Sequence, residues 1–223
     1  MPPPPDDYPR KPKRLRLVLV AIVLVVVGLG AYLLWPAPTL DDEAAIDAAL
    51  PTEHDLPGFI PFDGLTGALS PPTGHKSGRT VLTGDELAAQ CETYRAEKDG
   101  WACADLRGMG WVVLERAQNV FFRVLSTVLA YPDEDAAEAA YQGLVADNRR
   151  EVPDDHTESE PGLGDESISF RLYGVTAFAV RVDTVVVEMF VQDGSDQVPE
   201  AAERAMAEKW PNLQLDKLEA ALD

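Results

Sequence analysis

The 223-residue chain has little cysteine or histidine: it contains two cysteines and three histidines. His54, His75 and His156 stand far apart, and neither cysteine has the neighbours that a zinc site needs. The sequence also lacks a G-x-S-x-G serine hydrolase motif and a glycine-rich phosphate loop with its lysine. With no motif of known mechanism, we expect a protein that is not an enzyme and that binds no metal or cofactor.

Positive charge is also scarce, since the chain has 38 acidic residues and only 19 basic ones. The first 16 residues hold two of the acids and five of the bases, which leaves 36 acids and 14 bases, a net charge near −22, for the rest. Such a surface repels nucleic acid and other polyanions, so nucleic acid is not expected as a partner. The acids lack EF-hand spacing and are typical of solvated turns rather than of calcium ligands.

Charge is missing altogether from Leu17 to Trp35, a run of nineteen residues. At about 1.5 Å per residue, a helix of this length spans the roughly 30 Å hydrocarbon core of a bilayer. Basic residues precede the run and acidic residues follow it, which predicts a cytoplasmic N-terminus. A cleaved signal peptide is the alternative, but the run exceeds the usual apolar core of about 7 to 15 residues and no Ala-x-Ala site follows. We predict a single-pass signal anchor at 17–35 after a cytoplasmic tail at 1–16.

The remainder of the chain then lies outside the cytoplasm, where a lone pair of cysteines usually forms a disulfide. Apolar residues at helical spacing place Cys91 on one face of a helix that breaks near Asp99. From Cys91 the helix rises about 10 Å to Lys98, and five extended residues travel back about 16 Å. Cys103 can therefore reach Cys91. A zinc site would need two further ligands, and a catalytic cysteine would need a histidine brought close by the fold.

Residues 36–80 are rich in proline and glycine and are predicted as an extracytoplasmic linker. Within it, "DDEAAIDAAL" has a helical pattern and "LPGFIPF" carries enough apolar surface to dock. The folded domain is predicted at 81–223, with the order helix, two strands, helix, three strands, helix. Its last helix is expected to end before Pro211. Strands joined by short turns predict an α+β fold, an antiparallel five-stranded sheet with helices packed on one face. The strands are "WVVLER", "NVFFRVLSTVLAY", "SISFRLY", "VTAFAVRV" and "TVVVEMFV".

Three features resemble a known type of domain. They are the helix of "DEDAAEAAY" after a strand, the "LGDES" turn, and the valine-rich strand before a terminal helix. From about Val81 to Trp210, the chain resembles the exported sensor-like domains of actinobacterial membrane proteins and lipoproteins, the PknH-like extracellular domain type. This resemblance implies a non-enzymatic extracytoplasmic module that binds a ligand or a partner. Those domains often hold two disulfides where this chain has one cysteine pair, and no functional residue is carried over.

One strand pattern suggests a site. If the alternating apolar residues of the five strands face the helices, the opposite, open side of the sheet carries one charge per strand. The first interpretation is a set of cross-strand ion pairs, each worth a few tenths of a kcal/mol. The second is a groove in which arginines bind a carboxylate or phosphate ligand through their bidentate fork. The five charged residues are Glu115, Arg123, Arg171, Arg181 and Glu188.

Together these features predict a membrane-anchored, extracytoplasmic, sensor-like module that binds a ligand or partner without catalysis. A scaffold subunit of an envelope complex is the alternative, and an envelope hydrolase is a further one with no motif behind it. The expected partners are the membrane, through the single span, and an envelope protein or a small anionic ligand.

Overall fold

The computed structural model describes residues 40, 42–62, 78–97, 103–117, 119–152, 155–172, 174–193 and 200–222. Pro38–Asp223 form one compact unit. The predicted tail and the predicted membrane segment at 17–35 lie outside the described residues. Among the helices that the structure describes, none has the length and hydropathy needed to cross a bilayer.

The described chain forms four helices and eight strands. In chain order they are α1 (Glu43–Ala48), β1 (Phe59–Pro61), β2 (Arg79–Thr83), α2 (Gly84–Glu97), β3 (Gly108–Arg116), β4 (Asn119–Ala130), α3 (Glu134–Glu151), β5 (Thr157–Ser159), β6 (Glu166–Leu172), β7 (Val175–Val182), β8 (Val185–Asp193) and α4 (Glu200–Leu222). The five predicted strands are all present as β3, β4, β6, β7 and β8, and three shorter strands add to them.

The sheet is antiparallel, as predicted, but it has eight strands instead of five. Its order is β1-β3-β4-β8-β7-β6-β5, and β2 also pairs with β3. β1 and β2 share one edge of β3, since β2 pairs with its first half and β1 with its end. The three additional strands have only three to five residues. So short a strand shows too little alternation to be recognised from the sequence.

Helices cover both faces of the sheet, so the prediction that they pack on one face was wrong. We call the two sides the α4 face, which α1 and α4 cover, and the α3 face, which α2 and α3 cover. Neighbouring residues of one strand are buried on opposite faces. Val112 and Val187 lie in the core of the α4 face, and Trp111 and Val186 lie in the core of the α3 face. Central strands that are apolar at both parities must be covered on both sides.

The segment 42–62, which belongs to the predicted linker, packs into the domain. Ile46, Leu50 and Leu56 are buried in the core of the α4 face. α1 can approach β3 closely because Gly108 and Gly110 lie beneath Ile46, where a Cβ atom would come within 2.1 Å and 2.7 Å of its side chain. The expected docking of the apolar "LPGFIPF" segment is thus observed, and the compact unit begins well before the predicted boundary at residue 81.

Polar contacts hold the end of α1 in place. The Arg79 guanidinium donates to the Asp47 carboxylate at 2.8 Å and to the Pro51 carbonyl at 2.8 Å. From α4, the buried Gln214 side chain donates to the Ala49 carbonyl at 2.8 Å, and Lys217 lies 2.9 Å from Asp55. Partial burial acts to raise the pKa of Asp55, but hydrogen bonds from Lys217 and Thr52 outweigh it and lower the pKa below its ordinary value.

α4 continues through Pro211, although the sequence predicted that it ends there. A proline in a helix loses one backbone hydrogen bond and clashes with the preceding turn, which costs about 3 kcal/mol. Trp210, Leu215 and Leu218 are buried on both sides of it, and burying large apolar side chains contributes about 1.5–3 kcal/mol each. The Trp210 indole also donates to the Leu125 carbonyl at 3.1 Å. Packing therefore outweighs the local preference to stop.

Candidate functional site

The five charged strand residues do not share one face of the sheet. Arg123 pairs directly with Glu115, and Glu188 lies on the same α3 face. Arg181 also points to this face, because its register partner Glu166 accepts a hydrogen bond from Gln142 of α3 at 3.2 Å. Arg171 lies at the opposite parity, on the α4 face.

Arg123 and Glu115 form a buried cross-strand ion pair. Each is 6% exposed, and Arg123 Nε lies 3.7 Å from Glu115 Oε2. The guanidinium carbon also lies 4.4 Å from the centre of the Phe62 ring, which is buried as well. A cation over the face of an aromatic ring is attracted by the ring quadrupole, whose face is negative. This pair therefore joins β3 and β4 to the docked segment and presents no ligand groove.

Arg181 anchors the turn before β6. Its Nε donates to Glu166 at 2.9 Å, and Nη1 lies 3.5 Å from the Asp165 carboxylate. Asp165 in turn accepts from the Asp183 backbone N–H at 2.7 Å. Burial acts to lower the pKa of Arg181, but the hydrogen bond and charge of Glu166 outweigh it and raise the pKa. Arg181 thus has a structural role in holding two turns together.

The prediction of one open groove holding Arg123, Arg171 and Arg181 was therefore wrong. It assumed that Ile168 and Phe170 of β6 face the same helices as the apolar residues of the other strands. They pack instead on the α3 face, in the second core cluster. β6 consequently turns its polar residues, Arg171 among them, toward α4.

Arg171 lies in a cleft between α4 and the β5-β6-β7 edge of the sheet, which we call the α4 cleft. Its volume is about 470 Å³. Two rows of paired residues form its floor: Thr157, Arg171 and Thr176 in the first row, and Ser159, Ser169 and Phe178 in the second. Both rows belong to the α4 face because residues two apart in a strand point the same way.

One stripe of α4 forms the opposite wall. Its residues recur at i, i+3, i+4, i+7 and i+8, the spacing of a single helix face. Pro161 and Leu163, from the chain between β5 and β6, complete the lining. The α4 residues are Arg204, Ala207, Glu208, Pro211 and Asn212.

The α4 cleft combines hydroxyl groups, charges and apolar surface. The Ser159 and Ser169 hydroxyl oxygens lie 2.7 Å apart and share a hydrogen bond. The Asn212 side chain donates to the Glu208 carbonyl at 2.7 Å. Pro211 has no N–H to donate to the carbonyl four residues earlier, that of Ala207, so this wall is a point of local irregularity in α4.

A signal for this cleft was present in the sequence but has two possible meanings. β6 reads Ser167, Ser169, Arg171 at one parity, which is typical of a solvent-facing strand as much as of a site. Arg204 and Glu208 lie four residues apart in the predicted last helix, which is also the pattern of an exposed helix face. Asn212 continues this spacing only because the helix passes Pro211. Only the position of α4 over β6 distinguishes a cleft from two solvated surfaces.

A second cavity of about 410 Å³ lies on the other side of the β5–β6 connection. Acidic groups dominate it: Glu160, Asp165 and Glu166 line it together with Tyr141. Burial and the neighbouring charge of Glu166 raise the pKa of Tyr141. Glu166 and Asp165 are already bound to Arg181, and the described residues hold no group of three or more ligands suited to a metal ion.

The cysteines form the predicted disulfide between Cys91 of α2 and Cys103, with their Cα atoms 5.5 Å apart. Both are buried in the core of the α3 face, at 7% and 6% exposure. The bond ties α2 to the segment that leads into β3. It is a structural link remote from the α4 cleft, on the opposite side of the sheet.

A comparison with solved structures finds a similar domain, whereas the sequence comparisons find none. No family model and no curated protein matches the sequence. The chain is similar in structure to the extracellular domain of PknH from Mycobacterium tuberculosis, with 14% identity and a TM-score of 0.46. The match covers 80% of this chain and 97% of that domain. The PknH-like resemblance seen in the sequence is confirmed at this loose level, which is too distant to transfer a ligand or a residue role.

Proposed function

We propose that this chain is a membrane-anchored, extracytoplasmic binding module whose ligand occupies the α4 cleft. The apolar run from Leu17 to Trp35, with basic residues before it and acidic residues after it, supports the anchor and its orientation. The disulfide between Cys91 and Cys103 supports an oxidising compartment for the folded domain.

The α4 cleft is the observation that carries the proposal. Its volume of about 470 Å³ falls within the range of roughly 300–1,000 Å³ that is usual for small-molecule sites. Such sites are mainly apolar with a few polar groups that fix the ligand's orientation. Here Leu163, Phe178 and Ala207 supply apolar surface, and Arg171 and Asn212 are among the polar groups.

We favour binding over catalysis because of the partners of the cleft hydroxyls. Nucleophilic catalysis by serine needs a base within hydrogen-bond reach. Ser159 and Ser169 bond to each other, and Ser169 also lies 3.4 Å from the Ser159 carbonyl. The scaffold alternative has weaker support, because Ile60 is the one large apolar side chain that is exposed in the part of the chain that the structure describes. A flat docking surface usually needs a contiguous apolar patch.

A cleft-filling variant tests this proposal. We would map the binding of neutral and charged soluble fragments by amide chemical shifts on the full chain in nanodiscs. Perturbed signals should cluster at Ser169, Thr176 and Asn212. Ala207→Trp should abolish these shifts by filling the cleft, whereas Ala220→Trp, on an exposed position of the same helix, should leave them intact. Fragment hits that scatter over the surface, or that survive Ala207→Trp unchanged, would contradict the proposal.

A further inference from the structure

The α4 cleft has a charge balance unlike that of the rest of the domain. The charged side chains of its described lining are two arginines and one glutamate, Arg171, Arg204 and Glu208. The chain outside the first 16 residues has 36 acids and 14 bases. Two arginines on facing walls of one cleft therefore oppose the overall charge.

We propose that the α4 cleft binds a small amphiphilic monoanion, namely a carboxylate with a short apolar group. This inference rests on the proposed function and specifies the ligand class of the same site. The carboxylate lies between Arg171 of the sheet floor and Arg204 of α4, and the apolar group packs against the neighbouring non-polar lining.

The two guanidinium groups suit a carboxylate by their geometry and by the number of their donors. A guanidinium offers five N–H donors in a planar fork that matches two carboxylate oxygens. Arg171 and Arg204 also have interactions within the protein. A fork with five donors can keep such a partner and still bind a ligand oxygen. The neighbouring Thr157 and Thr176 hydroxyl groups, in the same row as Arg171, add further donors.

Glu208 determines the preferred charge of the ligand. Its carboxylate lines the same cleft and repels a second negative charge on the ligand. A phosphate monoester carries about −1.5 to −2 at neutral pH, so Glu208 would repel it more strongly than it repels a carboxylate. The cleft therefore favours a monoanion over a dianion.

The size and composition of the cleft require an apolar part. A bare carboxylate of three heavy atoms leaves most of the 470 Å³ to water. Phe178 lies on the floor in the row after Arg171, and Leu163, Pro161, Ala207 and Pro211 line the remaining sides. Moving apolar ligand surface out of water against these groups is favourable.

The test compares three probes on the full chain in zwitterionic nanodiscs: hexanoate, its neutral isostere hexanamide, and acetate. Hexanoate should bind at the cleft amides with a Kd on the order of millimolar, as expected for a ligand of this size. Hexanamide, which lacks the charge, and acetate, which lacks the apolar chain, should each bind about tenfold more weakly or worse. Hexyl phosphate should also bind more weakly than hexanoate, because of Glu208.

Arginine variants locate the contact. Arg171→Gln and Arg204→Gln should each weaken hexanoate binding about tenfold without changing hexanamide binding. Arg171→Lys keeps the positive charge and loses the bidentate fork. Its affinity for hexanoate should therefore lie between that of the unchanged protein and that of Arg171→Gln. Arg149→Gln is the matched control, since this exposed arginine of α3 pairs with Glu158 on the other side of the sheet. It should leave hexanoate binding unchanged.

The outcomes separate this inference from the proposed function. Equal binding of hexanamide and hexanoate at the cleft would overturn the anion class and leave a binding cleft. An equal loss in Arg149→Gln would also overturn it, because the effect would then come from net charge. A third outcome is that hexanoate does not bind, while other fragments bind in the cleft and lose this binding in Ala207→Trp. This outcome would overturn the ligand class alone. Failure of all fragments at the cleft would overturn both.

Discussion

The buried pair of Arg123 and Glu115 gives the most demanding test of the fold. Both side chains are 6% exposed, and the Arg123 guanidinium also stacks on Phe62. Removing one partner of a buried ion pair leaves the other charge uncompensated, which typically costs about 3–5 kcal/mol. Arg123→Met should therefore lower the free energy of unfolding by about 3 kcal/mol or more.

A double variant separates the pair from simple packing. Replacing both members of a buried pair with apolar residues of similar volume is often neutral or stabilising. We therefore expect Arg123→Met combined with Glu115→Leu to recover most of the loss. Phe62→Leu should cost about 1–2 kcal/mol, since it removes the cation–π contact and part of a buried ring.

Urea unfolding of the full chain measures these changes through the transition midpoint at constant slope. For a domain of this size, about 3 kcal/mol corresponds to a drop of roughly 6–12 °C in melting temperature. Arg149→Gln is the control, because its exposed pair with Glu158 should contribute less than about 1 kcal/mol. A cost below about 1 kcal/mol for Arg123→Met, or a double variant as unstable as the sum of its singles, would refute the reasoning.

Three further predictions concern the disulfide, the docked segment and the membrane. Changing Cys91 and Cys103 together to serine should lower the free energy of unfolding by about 3 kcal/mol, as expected for a loop this short; an unchanged urea midpoint would contradict it. Because the pKa of Asp55 is lowered in the fold, its contribution to stability should be full above about pH 4 and should be lost as the pH falls through the folded-state value. Urea midpoints between about pH 2 and 5 should show this loss, and Lys217→Met should flatten it; a midpoint that rises on acidification would be inconsistent. Protease added to intact protoplasts should digest the acidic domain and spare the residues before Leu17, and protection of the domain would exclude the proposed orientation.

Several features of the fold follow from local sequence alone. The alternating or continuous apolar runs of β3, β4, β6, β7 and β8 identify strands because their side chains must be buried on a pleated surface. Gly174 and Asp183 separate the last three strands, and both adopt the left-handed backbone that tight turns require, at φ 73° and 48°. The disulfide between Cys91 and Cys103 also follows from local spacing, since the helix rise and the return path decide whether the two sulfurs can meet.

Other features depend on which elements pack together. Alternation along a strand places its residues on two sides of the sheet, but tertiary packing decides which helices cover each side. The sequence does not show that helices cover both sides. Arg123 and Arg171 look equivalent along the chain, yet the register buries Arg123 beside Glu115 and places Arg171 under α4. A charged residue on a strand thus became a core ion pair in one case and part of a cleft in the other.

The continuation of α4 past Pro211 and the docking of 42–62 have the same origin. Local propensity disfavours a helix at Pro211, and the composition of 36–80 favours a linker. Both preferences amount to a few kcal/mol, and the burial of Trp210, Leu218 and Ile46 in one shared core exceeds them. The sequence by itself therefore determined the five longer strands, the turns between the last three of them and the disulfide, whose causes lie within a few neighbouring residues. The tertiary structure decided the two helical layers, the docked segment and the α4 cleft, because these depend on contacts between residues far apart in the chain.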